Sequence, residues 1–151
     1  METDKGLNEA HAGARGHENV QRCGATWTGL MRNHATEPLN FLRATHAFPE
    51  LNPMIVREPG LRATLARLPG RKHVFSNAPI HYASAVLNIL GIADLLDDVL
   101  SIEHARYRPQ PDSYGFRKLF RRKRVRAAAC IMVEATMGNW RTAKQLGIAT
   151  I

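Results

Sequence analysis

From about residue 55 to the end of the sequence, short apolar runs alternate with segments whose apolar residues recur every three or four positions. The apolar runs are residues 73–75, 99–102, 130–133 and 148–151, and each is shorter than a typical helix. Buried strands that alternate with helices predict a parallel sheet with helices on both of its faces. We therefore expect an α/β fold with a Rossmann-like parallel sheet.

The segments between these runs have helical spacing, and most of them end at residues that stop helices. Helices are predicted over residues 61–68, 82–90, 114–120 and 139–146, and glycine or the pair Pro-Gly follows three of the four. This pattern predicts an α/β core over residues 55–151.

The amino-terminal third has a different character. Residues 1–16 are polar, contain several glycines and lack periodicity, which predicts a disordered lead. Residues 17–50 have helical spacing, and Pro38 suits the first turn of a second helix there, so a small helical unit is expected. Pro49 and Pro53 indicate a loop between this unit and the core.

Basic residues dominate the charge of the chain, whose formal net charge is +8. Seven of them lie between Arg117 and Arg126, at the end of a predicted helix and in the loop after it. Cations at that end of a helix complement its dipole. Because no specific nucleic-acid-binding module accompanies them, a solvated face is favoured over a polyanion site.

The two cysteines give no indication of a metal site. Cys23 and Cys130 form no CxxC or Cys/His motif, and Cys130 opens an apolar run, which favours a buried free thiol. The sequence shows neither an apolar stretch of membrane-spanning length nor the apolar region of a signal peptide. A cytoplasmic location is the expectation.

Polar residues follow three of the expected strands, and ligands in such sheets bind beyond the carboxyl ends of the strands. Candidate site segments are therefore Ser76 with Asn77, residues 103–110, and residues 134–136. Ser76 with Asn77 is equally the kind of pair that caps a following helix.

These segments resemble three motifs of the haloacid dehalogenase-like (HAD) hydrolases. Val-Phe-Ser-Asn-Ala at 74–78 is similar to the second motif, residues 101–111 to the third, and Ile-Met-Val-Glu-Ala-Thr at 131–136 to the fourth. The tetrapeptide Phe-Ser-Asn-Ala is similar to the sequence at this motif in the pyrimidine 5′-nucleotidase branch. The resemblance covers about residues 17–151, and it implies that residues 17–50 are the remnant of a helical cap.

The resemblance implies a Mg²⁺-dependent phosphatase that acts through an aspartyl-phosphate on a nucleoside monophosphate or another small phosphate ester. Ser76 and Asn77 match the phosphate-binding positions. Gln110 stands where the family has a catalytic lysine, and Arg106 and Arg108 are both displaced from that position. Glu134 matches one magnesium ligand, while Ala135 replaces the expected aspartate. A plain surface charge is an equal interpretation of Glu134.

The nucleophile motif, a strand followed by Asp-x-Asp, is absent from these 151 residues. The acidic cluster Asp94, Asp97 and Asp98 precedes a strand and is interpreted as an ordinary helix-to-strand connection. In the family the first strand lies between those of the second and fourth motifs. Without it, the strands at Val74 and Ile131 either pair directly or leave unpaired edges.

Three functions remain open from the sequence. The first is a phosphatase by descent, truncated at its amino terminus and catalytically impaired, with no intact catalytic residue and doubtful Mg²⁺ binding. The second is a non-catalytic module that binds phosphate or a partner, with an oligomer or partner chain covering the exposed sheet edge. The third is a decayed fragment.

Overall fold

A computed structural model describes residues 37–151 of the chain, in two compact units that divide after Thr45. In the first unit, helix α1 spans Pro38–Thr45 and buries Leu42. Pro38 begins this helix, as predicted, because its missing N–H is not needed in the first turn. The expected lead at 1–16 and most of the helical unit at 17–50 lie outside the described residues.

The second unit alternates helices with short strands, as the periodicity predicted. Its elements are α2 (Leu51–Met54), α3 (Leu61–Arg67), β1 (His73–Phe75), α4 (Ile80–Ile89), β2 (Asp98–Leu100), α5 (Ser113–Lys123), β3 (Ile131–Met132), α6 (Met137–Gln145) and β4 (Ala149–Thr150). Helix α2 corrects the expected loop at Pro49 and Pro53. Pro53 is tolerated because it lies in the first turn of α2, where backbone N–H groups have no partner within the helix.

Within residues 37–151, the four strands form two parallel pairs rather than one sheet. Strand β1 pairs with β2, with Phe75 opposite Leu100, and β3 pairs with β4, with Met132 opposite Thr150. The expected α/β class is therefore confirmed as a mixture of helices and short parallel strands. A continuous parallel sheet is not formed by the described residues.

Both strand pairs pack against helices α5 and α6. Phe116 of α5 and Ala143 of α6 are buried together with Ile148, and Phe75 of β1 and Met132 of β3 contact this cluster. The rings of Phe75 and Phe116 meet edge to face, with centroids 5.0 Å apart. This geometry is favourable for aromatic pairs. One helical layer thus supports β1 and β3 together.

The opposite face of the β3–β4 pair is uncovered. Ile131, Val133 and Ile151 are 71%, 78% and 75% exposed. Their alternation with Met132 is that of a strand with one buried and one open face. The prediction of a buried strand at 130–133, with helices on both faces of the sheet, is wrong for this pair, since no described element covers that face.

Cys130 carries a free thiol but is only half-buried, which corrects the prediction of a buried one. Its Sγ donates to the carbonyl of Arg126 at 3.4 Å.

Among residues 37–151, no helix is both long enough and apolar enough to cross a membrane.

The basic segment lies where it was expected, in the last turn of α5 and just beyond it. Arg122 and Lys123 pair with Asp98 of β2. Arg117, Arg121 and Arg124 are exposed, as a solvated face requires.

At the other end of α5, the carboxylate of Asp112 accepts a hydrogen bond from the Tyr114 N–H (2.8 Å) and caps the helix.

Gly115 allows α5 to approach β1 closely. A Cβ at this position would lie 2.5 Å from Cζ of Phe75 and 3.4 Å from the Cβ of Ala105. We predict that Gly115→Ala lowers the free energy of unfolding by about 1–3 kcal/mol, because overpacking exceeds the gain in helix propensity. Urea denaturation followed by circular dichroism measures this change.

Gly138→Ala is the matched control, because its Cβ would meet Pro111 at an ordinary 3.6 Å. Its stability should equal that of the parent chain or exceed it. Equal stabilities for Gly115→Ala and the control would show that Phe75 is not held against α5.

Candidate functional site

The polar residues that follow β1 meet the loop that precedes α5. The N–H of Gln110 donates to Oδ1 of Asn77 (2.7 Å), and Nδ2 of Asn77 donates to the carbonyl of Gln110 (3.2 Å). Two hydrogen bonds in opposite directions hold the two segments together although 33 positions separate them. Of the sequence-predicted site residues, Asn77 and Gln110 are therefore brought into direct contact.

Ser76 takes part in the turn that leads into α4. Its Oγ accepts a hydrogen bond from the Ala78 N–H (3.0 Å), and its N–H donates to the carbonyl of Leu100 (2.9 Å). The serine therefore stabilises the turn after β1. The alternative interpretation of Ser76 with Asn77 as a helix cap is wrong, because the N-cap of α4 is Pro79 and no side chain of the cap residue bonds the helix. Its hydroxyl proton is not used in that bond, so Ser76 retains one donor.

Gln110 is almost completely buried, with 4% of its surface exposed. Its Nε2 donates to the carbonyl of Phe75 (3.0 Å) in β1. Its Oε1 is buried and has no hydrogen-bond partner among residues 37–151. The amide thus binds the backbone of β1, and its remaining polar atom is an acceptor, which attracts donors rather than anions.

Neither nearby arginine supplies the positive charge that Gln110 lacks. The guanidinium of Arg108 pairs with Asp112 (2.8 Å) and lies 4.9 Å from the ring centroid of Tyr114. Arg106 is exposed and, like Tyr107, has a left-handed backbone, with φ values of 53° and 57°. Within the described residues, neither arginine forms a hydrogen bond with the Gln110 amide.

Glu134 is committed to the beginning of α6. Its Oε1 accepts from the Thr136 N–H (2.6 Å), and its Oε2 accepts from Nδ2 of Asn139 (2.9 Å). Burial disfavours the charged form, but the hydrogen bonds from Asn139, Thr136 and the Ala135 backbone outweigh it and lower the pKa of Glu134. This arrangement gives Glu134 a structural role in the turn that leads into α6.

These residues are a poor fit for the magnesium ion that the resemblance implies. Both oxygens of Glu134 already accept hydrogen bonds, and the side chain of Ala135 has no oxygen. Mg²⁺ requires hard oxygen ligands in octahedral geometry. The described part of the chain contains no group of three or more histidine, cysteine, aspartate or glutamate residues placed to hold a metal.

Glu103 is a half-buried carboxylate whose role as a helix cap the sequence did not indicate. Both of its oxygens accept from the Ile80 N–H at 3.1 and 3.2 Å, so it caps α4 from a distant loop. Desolvation raises the pKa of Glu103. Hydrogen bonds from Ser101 and from the backbone of Glu103 and Ile80, together with the nearby His104, lower it by more. The pKa of Glu103 consequently lies below its usual value. No local sequence pattern predicts that a residue 23 positions away caps α4.

Ser101 and His104 form a second polar contact in the same loop. Oγ of Ser101 lies 2.8 Å from Nδ1 of His104, and the Ser101 N–H donates to the same nitrogen at 3.2 Å. Ser101 is fully buried, so its hydroxyl is closed to a substrate and serves to hold the loop.

The acidic cluster before β2 is an ordinary connection, as the sequence indicated. Asp94 lies in a short 3-10 helix and pairs with Arg62 (2.6 Å) on the surface. Asp98 begins β2 and pairs with Lys123. Both carboxylates have cationic partners and neither follows a strand.

The chain matches no protein-family profile and no curated protein.

The cap that Glu103 provides predicts a pH dependence. Since the folded-state pKa of Glu103 is lowered, its stabilisation is present above about pH 4.5 and is lost as the pH falls through the folded pKa. We predict that stability falls less steeply between about pH 6 and pH 3 in Glu103→Gln than in the parent chain. Urea midpoints across this range measure the difference.

Glu58→Gln is the control, because it removes one exposed carboxylate and leaves the α4 cap intact. It should retain the parent slope. A Glu103→Gln chain with that same slope would show that this cap does not stabilise the fold.

The burial of Gln110 predicts a second effect. In Gln110→Glu a carboxylate would face the Phe75 carbonyl, and we expect a loss of about 2–4 kcal/mol at pH 7. Part of the loss should be recovered at about pH 5, since burial raises the pKa and a protonated carboxyl can donate. The exposed Gln145→Glu serves as control and should change stability little. Equal effects at the two positions would argue against the buried hydrogen bond.

Proposed function

We propose that this chain is a HAD-like phosphatase by descent, similar to the pyrimidine 5′-nucleotidase branch, with impaired catalysis. The observation that carries the proposal is the pair of hydrogen bonds between Asn77 and Gln110. They join the segments that resemble the second and third motifs at the carboxyl end of β1, which is where a site in a parallel α/β fold is expected.

The strand arrangement supports the same lineage. The strands that precede the second and fourth motif segments are β1 and β3, and within residues 37–151 each of them pairs with one other strand. The resemblance implies a central strand between these two, and unpaired edges were one of two expected consequences of its absence. The other, direct pairing of β1 with β3, does not occur.

Impaired catalysis follows from the state of Gln110. The family position calls for a cation beside a dianionic phosphate, while Gln110 offers a neutral amide that already donates to Phe75. Arg108 is held by Asp112. Loss of one electrostatic group of this kind costs about 3–4 kcal/mol of transition-state stabilisation.

The metal site is weakened in the same way. Glu134 binds the Thr136 N–H and the Asn139 amide, and it has no carboxylate beside it at Ala135. The proposed function therefore contains no step that depends on magnesium. Ser76 keeps a hydroxyl proton that can donate to a phosphate oxygen, so the proposal includes binding of a small phosphate ester without turnover.

A non-catalytic interaction module is the second candidate. The exposed apolar side chains of Ile131, Val133 and Ile151 favour it, because a contiguous apolar strand face on a surface indicates a binding partner.

We predict no hydrolysis of p-nitrophenyl phosphate or uridine monophosphate by the purified full chain, with or without magnesium chloride. The parent chain and Ser76→Ala should both release phosphate at the buffer rate. Release of inorganic phosphate measured by a colorimetric assay tests this expectation. Turnover that Ser76→Ala abolishes and the control Ser84→Ala preserves would contradict impaired catalysis.

A further inference from the structure

Basic side chains from two distant segments meet at the amino ends of β1 and β2. His73 of β1 lies opposite Asp98 of β2, and the carboxylate of Asp98 pairs with Lys123 in the last turn of α5. Arg71 and Lys72 directly precede β1. The carboxyl end of α5 therefore lies beside the segment that enters β1, although the two are far apart in the sequence.

The electrostatic surroundings of His73 show the same proximity. Burial lowers the pKa of His73, and the positive charges of Lys123 and Arg71 lower it further, while Asp97 and Asp98 oppose this effect. Lys123 belongs to α5, whereas Arg71 belongs to the segment before β1. Because both charges act on one imidazole ring, Arg71 lies on the same surface as the end of α5.

The cations on this surface outnumber its carboxylates. Arg122 and Lys123 share Asp98, and Oδ2 of Asp97 accepts from the backbone N–H of Lys72 (2.7 Å). The remaining arginines are exposed, and their side chains have no ion pair or hydrogen bond within residues 37–151. The basic surface consists of Arg71, Lys72, Arg121, Arg122, Lys123, Arg124 and Arg126.

The dipole of α5 explains only part of the basic surface. Cations complement the negative end of a helix, and this effect falls off within the last turn. Arg71 is not part of α5, and Arg126 lies beyond the C-cap of the helix at Arg124. Like charges gathered on one surface repel one another. An anionic partner would relieve that repulsion, so the unpaired arginines indicate a binding surface.

We propose that the basic surface binds the phosphate backbone of double-stranded nucleic acid without reading its sequence. The exposed members of the surface are arginines, whose planar guanidinium groups can donate two hydrogen bonds to one phosphate. Arg117 lies one helical turn before Arg121, about 6 Å along α5, and it extends the row of exposed arginines. A row of cations matches a polymer that repeats its negative charge.

The composition of the basic surface favours a duplex over other polyanions. Single-stranded nucleic acid is bound largely by stacking on aromatic side chains, and residues 71–72 and 121–126 contain none. Binding to an anionic membrane needs large apolar side chains beside the cations. Within the described part of the chain, none of the exposed large apolar residues belongs to these two segments. The phosphates of a duplex require neither feature.

The basic surface is separate from the candidate site. Arg71 precedes the amino end of β1, whereas Asn77 follows its carboxyl end and binds Gln110 there. Nucleic-acid binding therefore uses none of the residues on which the proposed phosphatase lineage rests, and each of the two proposals can fail without the other.

The test uses the full chain and a fluorescein-labelled DNA duplex of about 20 base pairs with an arbitrary sequence. Anisotropy should rise and saturate at about 50 mM potassium chloride. If four arginines contact phosphates, log K should fall with log salt at a slope of about −3.5. An unlabelled duplex of another sequence should compete equally. Phosphatidylserine vesicles at the same phosphate concentration should not compete. Absence of saturable binding, or displacement of the duplex by the vesicles, would overturn the proposal.

Three variants with the same net charge test the location of the surface. Arg71→Gln and Arg121→Gln should each weaken binding about threefold or more and reduce the salt slope by about 1. Arg106→Gln is the matched control, because Arg106 is an exposed arginine in the loop 101–111, outside the basic surface, and it should bind like the parent chain. Circular dichroism verifies the fold of each variant. Equal affinities of all three variants, or a loss in Arg121→Gln alone, would contradict a surface assembled from both segments.

Discussion

The edge-to-face contact between Phe75 and Phe116 joins β1 to α5, and much of the fold depends on it. Gly115 makes room for this contact, and the cluster around Phe116 extends to Ala143 of α6 and Met132 of β3. Because both strand pairs rest on this layer, the described core holds together without a continuous sheet. The apolar layer provides the packing, while among residues 37–151 each of the strands β1 and β3 pairs with a single neighbouring strand.

The contact between Phe75 and Phe116 also positions the residues of the candidate site. Once β1 is fixed on α5, its carboxyl end presents Asn77 to the loop before α5, and Gln110 reaches back to the Phe75 carbonyl. A neutral amide in that position can bind a backbone carbonyl of β1, but it supplies no positive charge to a phosphate. Under the proposed lineage, the position of the family's catalytic lysine is occupied here by a residue whose amide binds a strand edge.

Sequence periodicity predicted most of the helices and strands, because each of them depends on residues that are close together in the sequence. The spacing of Leu61 and Leu65 indicated α3, and the apolar run from His73 to Phe75 indicated β1. Predictions failed where the outcome depends on distant residues. Residues 130–133 have the composition of a buried strand, yet Ile131 is exposed because no described element covers that face. Glu103 caps α4 through a loop that no local motif links to Ile80.

By itself, the sequence determined the order of helices and strands and placed polar residues after the strands, since both follow from local periodicity and backbone preferences. Only the tertiary structure decided that the described strands form two separate pairs, that Gln110 is buried against β1, and that Glu134 binds the Thr136 N–H at the start of α6. The physical reason is that edge pairing, burial and hydrogen-bond satisfaction depend on neighbours far apart in the chain. The apolar strands that specify the α/β fold thus leave open, until they are packed, which of their edges and faces remain available to another molecule.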